Sequence, residues 1–138
     1  MRIMAIDYGD AHTGIAISDP TGFLAGYTTV ITAYRPEAVV ENIVSLVKEH
    51  GVEELVLGHP KNMDGTRGPR AEKAEAMAEL LKEATSLPVV LWDERRTTID
   101  AHQILMTGGK NAKKRKKVVD AVAASLILEG YLTFKKTH

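Results

Sequence analysis

The chain has 138 residues, 44% of them hydrophobic and 26% charged, with no cysteine and a formal net charge of zero. That length is about one domain's worth with room for a proper core, and the missing cysteines exclude disulfides, thiolate zinc sites and a cysteine nucleophile. No run approaches the ~18 apolar residues of a membrane span, and the N-terminus enters a strand pattern with no basic-then-apolar leader, so a cytoplasmic protein without a membrane partner is expected.

Residues 2–7 read as a strand whose unbroken apolar run predicts burial on both faces. Tyr8 to His12 form a turn, and residues 13–19 return with alternating apolar side chains as a hairpin partner. A third strand is expected over 27–32. Pro36 suits the first turn of a helix; Val39, Val40, Ile43, Val44 and Val47 follow at helical spacing, and Gly51 stops it. Residues 54–58 make a short buried strand, and a polar loop runs from His59 to Pro69. Helix formers fill 70–84. A strand at 88–92 precedes a helix capped by Thr97 or Thr98 and running through Met106. After a loop over 107–113, a last helix ends near Phe134. The order β-β-β-α-β-α-β-α-α predicts an α/β fold, a mixed five-stranded sheet flanked by helices, with antiparallel β1-β2-β3 and parallel β4 and β5. A single domain over 1–138 is expected, because no repeat and no domain-splitting linker interrupts the pattern.

The carboxylates are placed oddly for core material. Asp7 ends the first apolar run, Asp93 and Glu94 end the run Val89-Val90-Leu91-Trp92, and Asp120 interrupts the apolar stretch 118–124. Acids at such positions suit a hard divalent cation, which takes oxygen ligands. Adjacent strand residues point to opposite faces, so only one of Asp93 and Glu94 should reach a shared site. Asp120 shares a helix face with Ala123, Ala124, Ile127 and Tyr131, while Glu129 projects about 180° away. A buried unpaired carboxylate costs several kcal/mol, so Asp120 needs a partner; backbone hydrogen bonds are the ordinary alternative to a metal.

Two further segments stand out. The stretch from Gly58 to Pro69 holds three glycines, two prolines and the basic residues Lys61 and Arg67, directly after a strand end. Long loops in compact domains are usually functional or disordered, and the prolines favour a shaped loop over a disordered one. The zero net charge also hides a partition. Residues 1–106 carry 10 basic and 16 acidic side chains, whereas residues 107–138 carry 8 basic and 2 acidic ones. Most of the later excess is the run Lys113-Lys114-Arg115-Lys116-Lys117, just before the last helix. Cations there oppose the macrodipole, which fits loose contacts to a polyanion's phosphates; a solvated charge run is the ordinary alternative. His12, His59 and His102 lack metal-site spacing and read as structural, with His59 also a candidate substrate contact. Trp92 and Tyr131 read as core.

Together, Asp7-Tyr8-Gly9 with Gly14 to Asp19, Gly58-His59-Pro60-Lys61-Asn62-Met63-Asp64-Gly65-Thr66 with Gly68-Pro69, Asp93-Glu94-Arg95 with Thr97-Thr98, and 117–124 resemble the four signature blocks of the YqgF/RuvX family, in order and across the chain. That family has an RNase H-like fold related to the RuvC resolvase. Its members are described as bacterial cytoplasmic nucleases of pre-16S ribosomal RNA, and formerly as Holliday junction resolvases. The resemblance implies catalytic, metal-holding acids at Asp7, Glu94 and Asp120. It implies two Mg²⁺ or Mn²⁺ ions about 3.5–4 Å apart, hydrolysing phosphodiesters, with Asp93 or a backbone oxygen as a fourth ligand. The candidate substrate contacts are Lys61, Asn62, Arg67, Arg95, Lys113, Lys114 and Arg115. Structured RNA is the implied partner, branched DNA the alternative, and a homodimer is left open. Two positions depart from the family: His12 replaces a common arginine and His59 a common leucine. A non-catalytic nucleic-acid-binding domain would not need the acids. An actin-like ATPase would need a second such domain.

Overall fold

The computed structural model describes residues 1–21, 25–60, 65–93 and 112–137; at 25, 112–120 and 137 it describes the backbone alone. The described elements are β1 (Arg2–Asp7), β2 (His12–Ser18), β3 (Ala25–Thr32), α1 (Pro36–His50), β4 (Val52–His59), α2 (Pro69–Thr85), β5 (Val89–Asp93) and α3 (Ala112–Thr137). The helix expected over 97–106 lies outside the described residues.

One mixed sheet runs in the order β3-β2-β1-β4-β5. β1 pairs antiparallel with β2 and parallel with β4, β3 adds antiparallel to β2, and β5 adds parallel to β4. This is the mixed five-stranded, RNase H-like sheet expected from the sequence. β1 is central, and its four interior residues, Ile3 to Ile6, are all apolar because both of its faces are covered. Met4 and Ile6 point into a core shared with Ile15, Ile17, Leu55, Leu57, α1 and α2. Ile3 and Ala5 point into a second core with Ala16, Val56, Trp92 and α3. The two cores are the two faces of one sheet.

Punctuation at the helix ends follows from single residues. Pro36 and Pro69 stand in first turns, where a missing N–H costs nothing. Gly51 closes α1 at φ 66°, and Ser86 closes α2 at φ 58°, each N–H capping a carbonyl four residues back. Several elements run longer than expected. β4 includes Val52, Glu53 and His59, and α3 begins at Ala112, so the basic run 113–117 builds the helix's first turns instead of preceding it. Lysine and arginine are good helix formers, and over several residues that preference outweighs the opposing dipole.

α3 is fixed to the sheet at its far end. Lys135 Nζ lies 3.1 Å from Glu54 Oε1. Burial and a hydrogen bond to the same Glu54 push the Tyr131 phenol up to about 12. Tyr131 also meets Trp92 edge-on at 5.8 Å between ring centroids, so both aromatics are core, as expected. Among the described residues no helix is long and apolar enough to cross a membrane.

Candidate active site

The parallel pairing sets the geometry of the carboxyl edge. Ile6 is level with Leu57, so Asp7 ends β1 beside Gly58 of β4, and His59 is level with Asp93 of β5. Three neighbouring strands thus bring Asp7, His59 and Asp93 to one edge. Alternation divides them between faces. Asp7 belongs to the row of Ile3 and Ala5, toward α3. Asp93 follows Trp92, which faces α3, and so falls to the α2 side with Val89. The half-buried Asp7 and α3 share a face; Asp93 does not.

The turn after Asp7 is held by close backbone approach. A Cβ on Gly9 would run into the carbonyl oxygen of His12, so only glycine fits without moving the backbone. His12 itself sits in the hairpin, its Nδ1 3.3 Å from the Thr32 hydroxyl. Gly14, opposite Asp7 across the antiparallel pair, adds no side chain beside the carboxylate.

Position 120 lies in α3, on the helical period that carries the buried Ala124, Ile127 and Tyr131 against the sheet. The side chains of Asp120, Lys113, Lys114 and Arg115 are outside the described set, as are Glu94, Arg95, Lys61 and Asn62. Of the three proposed acids, then, only Asp7 is described in full. Among the described residues no three His, Asp or Glu side chains gather around a common point.

Of the candidate substrate contacts, Arg67 is described, and it has a protein partner. Its Nε and Nη2 reach the two oxygens of Glu75 at 2.7 and 2.5 Å. His59 Nε2 lies 2.7 Å from the same carboxylate, on α2. A carboxylate only accepts, so His59 donates through Nε2–H. The Arg67 bonds first, and the His59 bond second, hold Glu75 below its ordinary 4.5. The same pairing raises Arg67. His59 is therefore a nearly buried structural donor that ties the end of β4 to α2. Arg67 still leaves 54% of its side chain in solvent, enough to meet a phosphate as well. Glu75 was missed in the sequence, although its place between the buried Ala74 and Ala78, four residues after Ala71, marks it as lying beside the apolar stripe of α2.

The sequence pattern of the RuvX family, described as Holliday junction resolvase, matches residues 1–134. The chain belongs to the RuvX family. A relative from Halothermothrix orenii is 47% identical over 100% of this chain and 99% of its own length, and is named "Putative pre-16S rRNA nuclease". Among solved structures, T. thermophilus RuvC in complex with a Holliday junction substrate aligns with a TM-score of 0.64 at 12% identity, over 99% of this chain and 96% of that one. The Fowlpox virus resolvase, solved with Holliday junction DNA, aligns at 0.59 and 13% identity, over 98% and 99%. At such identities the structural likeness speaks to the fold. Membership of a nuclease family comes from the sequence matches.

Proposed function

We propose that this chain is a cytoplasmic, metal-dependent endonuclease that hydrolyses phosphodiester bonds in structured RNA, acting in 5′-end maturation of pre-16S ribosomal RNA. The observation that carries the reading is Asp7, a half-buried carboxylate ending the central strand on the face covered by α3. α3 is anchored at Glu54 through Tyr131 and Lys135. The eleven residues back to position 120 span about 16 Å of helix, roughly the length of β4 from Glu54 to His59. That reach supports bringing Asp120 toward Asp7. Strand alternation supports Glu94 as the third acid, since Asp93 belongs to the opposite face.

An all-oxygen donor set at a strand end suits Mg²⁺ or Mn²⁺. When bound, two such ions supply a water of lowered pKa and offset charge on the leaving oxygen. Asp7, Glu94 and Asp120 would hold them. Arg67, Lys61, Asn62, Arg95 and the run Lys113, Lys114, Arg115 would hold the phosphates on either side without reading sequence.

The test is cleavage of labelled pre-16S RNA and a four-way DNA junction side by side, with Mg²⁺ or Mn²⁺. RNA cleavage lost in Glu94→Gln and largely kept in Asp93→Asn is the expected result. The reverse ranking would reassign the pair, and no cleavage of either substrate would remove the nuclease reading. Cleavage of the junction alone favours the second reading, a DNA resolvase, which the family's own description supports.

A further inference from the structure

On the opposite side of β1 from Asp7, a cavity of about 320 Å³ opens between the β1–β2 turn and the helices α1 and α2. Its size is at the lower end for small-ligand sites. Tyr8, Tyr34, Met77 and Leu80 supply flat and apolar surface, while Asp10 and Lys73 lie at its polar side. Lys73 Nζ is 3.0 Å from Asp10 Oδ1, so a donor and an acceptor stand side by side. Tyr34 leaves 78% of its surface in solvent and Leu80 40%, although both flank the cavity. Tyr8 packs onto the core beneath.

We propose that this cavity receives one unstacked base of the nucleic-acid strand whose backbone crosses Asp7. The proposal rests on the nuclease reading above and adds to it a site for a base. Asp7 and Tyr8 are consecutive, so a phosphate at one and a base at the other follow the alternation of backbone and base along a single strand. Tyrosine faces suit any base, because stacking is sequence-tolerant. The Watson–Crick edge of every unstacked base also carries both a donor and an acceptor, which Asp10 and Lys73 can meet. An apolar peptide anchor would use the cavity floor but would gain nothing from that charged pair.

Binding is measured on the Asp7→Asn chain, so that the probe stays intact, using a fluorescein-labelled single-stranded RNA. 2-Aminopurine is walked through the probe one position at a time. Adding Tyr34→Ala should weaken binding roughly tenfold and abolish a fluorescence change confined to one probe position. Tyr34→Phe should keep both, and an abasic probe at that position should bind weakly and ignore Tyr34. Leu80→Asp, also exposed, should act like Tyr34→Ala, with unchanged circular dichroism for each variant. If the intact probe binds Tyr34→Ala and the parent equally, the base pocket is wrong, including the case where the cavity serves a protein partner instead. Cleavage by the wild-type chain is scored in parallel. Cutting that needs Asp7 but ignores Tyr34 overturns the pocket alone, whereas a wild type that neither cuts nor binds RNA overturns both readings.

Discussion

The two faces of the sheet are built to different thicknesses. Toward α1 and α2 the strands present Met4, Ile6, Ile15, Ile17, Leu55 and Leu57, which meet Ile43, Met77 and Leu81. Toward α3 they present Ile3 and Val56 with the small Ala5 and Ala16, packed with Ala124, Ile127 and Leu128, and beside them Trp92, Tyr131 and Phe134 form an aromatic cluster. The first face holds the fold together through large interlocking side chains. The second trades apolar volume for proximity, bringing the helix that carries Asp120 down onto the strand that ends in Asp7. On the proposed reading, stability and chemistry fall largely on opposite sides of one strand.

The sharpest way to break that division is Asp7→Asn. Cleavage should fall by roughly 10³-fold or more, as expected when several kcal/mol of metal-assisted stabilisation are lost, while the thermal midpoint barely moves. Stability changes should follow the faces. Leu57→Ala on the thick face should cost about 2–5 kcal/mol by urea denaturation, with the activity of the remaining folded protein kept. Ala5→Leu on the thin face should cost about 1–3 kcal/mol by overpacking, yet lower cleavage more than Leu57→Ala does, because it lifts α3. Equal activity losses in these two variants would end the proposed separation.

A smaller loss is expected for Glu75→Gln, which weakens the tie between β4, Arg67 and α2. Glu75 titrates below its ordinary 4.5 in the folded chain, so its contribution is present above that value and fades as pH falls through the lowered one. The melting difference between wild type and Glu75→Gln should thus be constant from pH 7 to 5 and shrink toward pH 3. The smallest effect is a gain. Ser86 occupies a left-handed conformation at φ 58°, and Ser86→Gly should add about 0.5–1 kcal/mol, a rise of roughly 2–5 °C in melting temperature, without touching activity.

Much of this was legible in the chain because single residues forced it. Pro36 and Gly51 bound α1, and the unbroken apolar run at 3–6 marks a strand covered on both faces, whereas the equally apolar run at 89–92 belongs to the edge strand β5, where Leu91 is exposed. The longer extent of β4 was harder to read: Glu53 looks like a loop residue, but Val52 pairs with Arg2 and Glu54 with Ile3, and the irregularity between them keeps Glu53 in the strand. The reading of the basic run weighed the dipole and neglected propensity. At the site, alternation says only that one of Asp93 and Glu94 can reach a shared face; the choice of Glu94 came from the family resemblance. The link through Glu75 could not be read that way, because it depends on the loop returning Arg67 over α2, a contact that no local pattern encodes. The cavity escaped for a similar reason: Tyr34 lies far in sequence from Lys73 and Leu80, and each reads as ordinary surface.

The abrupt change of face at the end of β1 also bears on how this gene can vary. Asp7 and Tyr8 occupy successive codons, yet one side chain joins the row facing α3 and the other packs against the two-helix core. Inserting or deleting one codon between Ile3 and Ile6 would exchange those destinations, sending an aspartate into an apolar core and a tyrosine toward α3. The opening segment should therefore accept substitutions far more readily than changes of length.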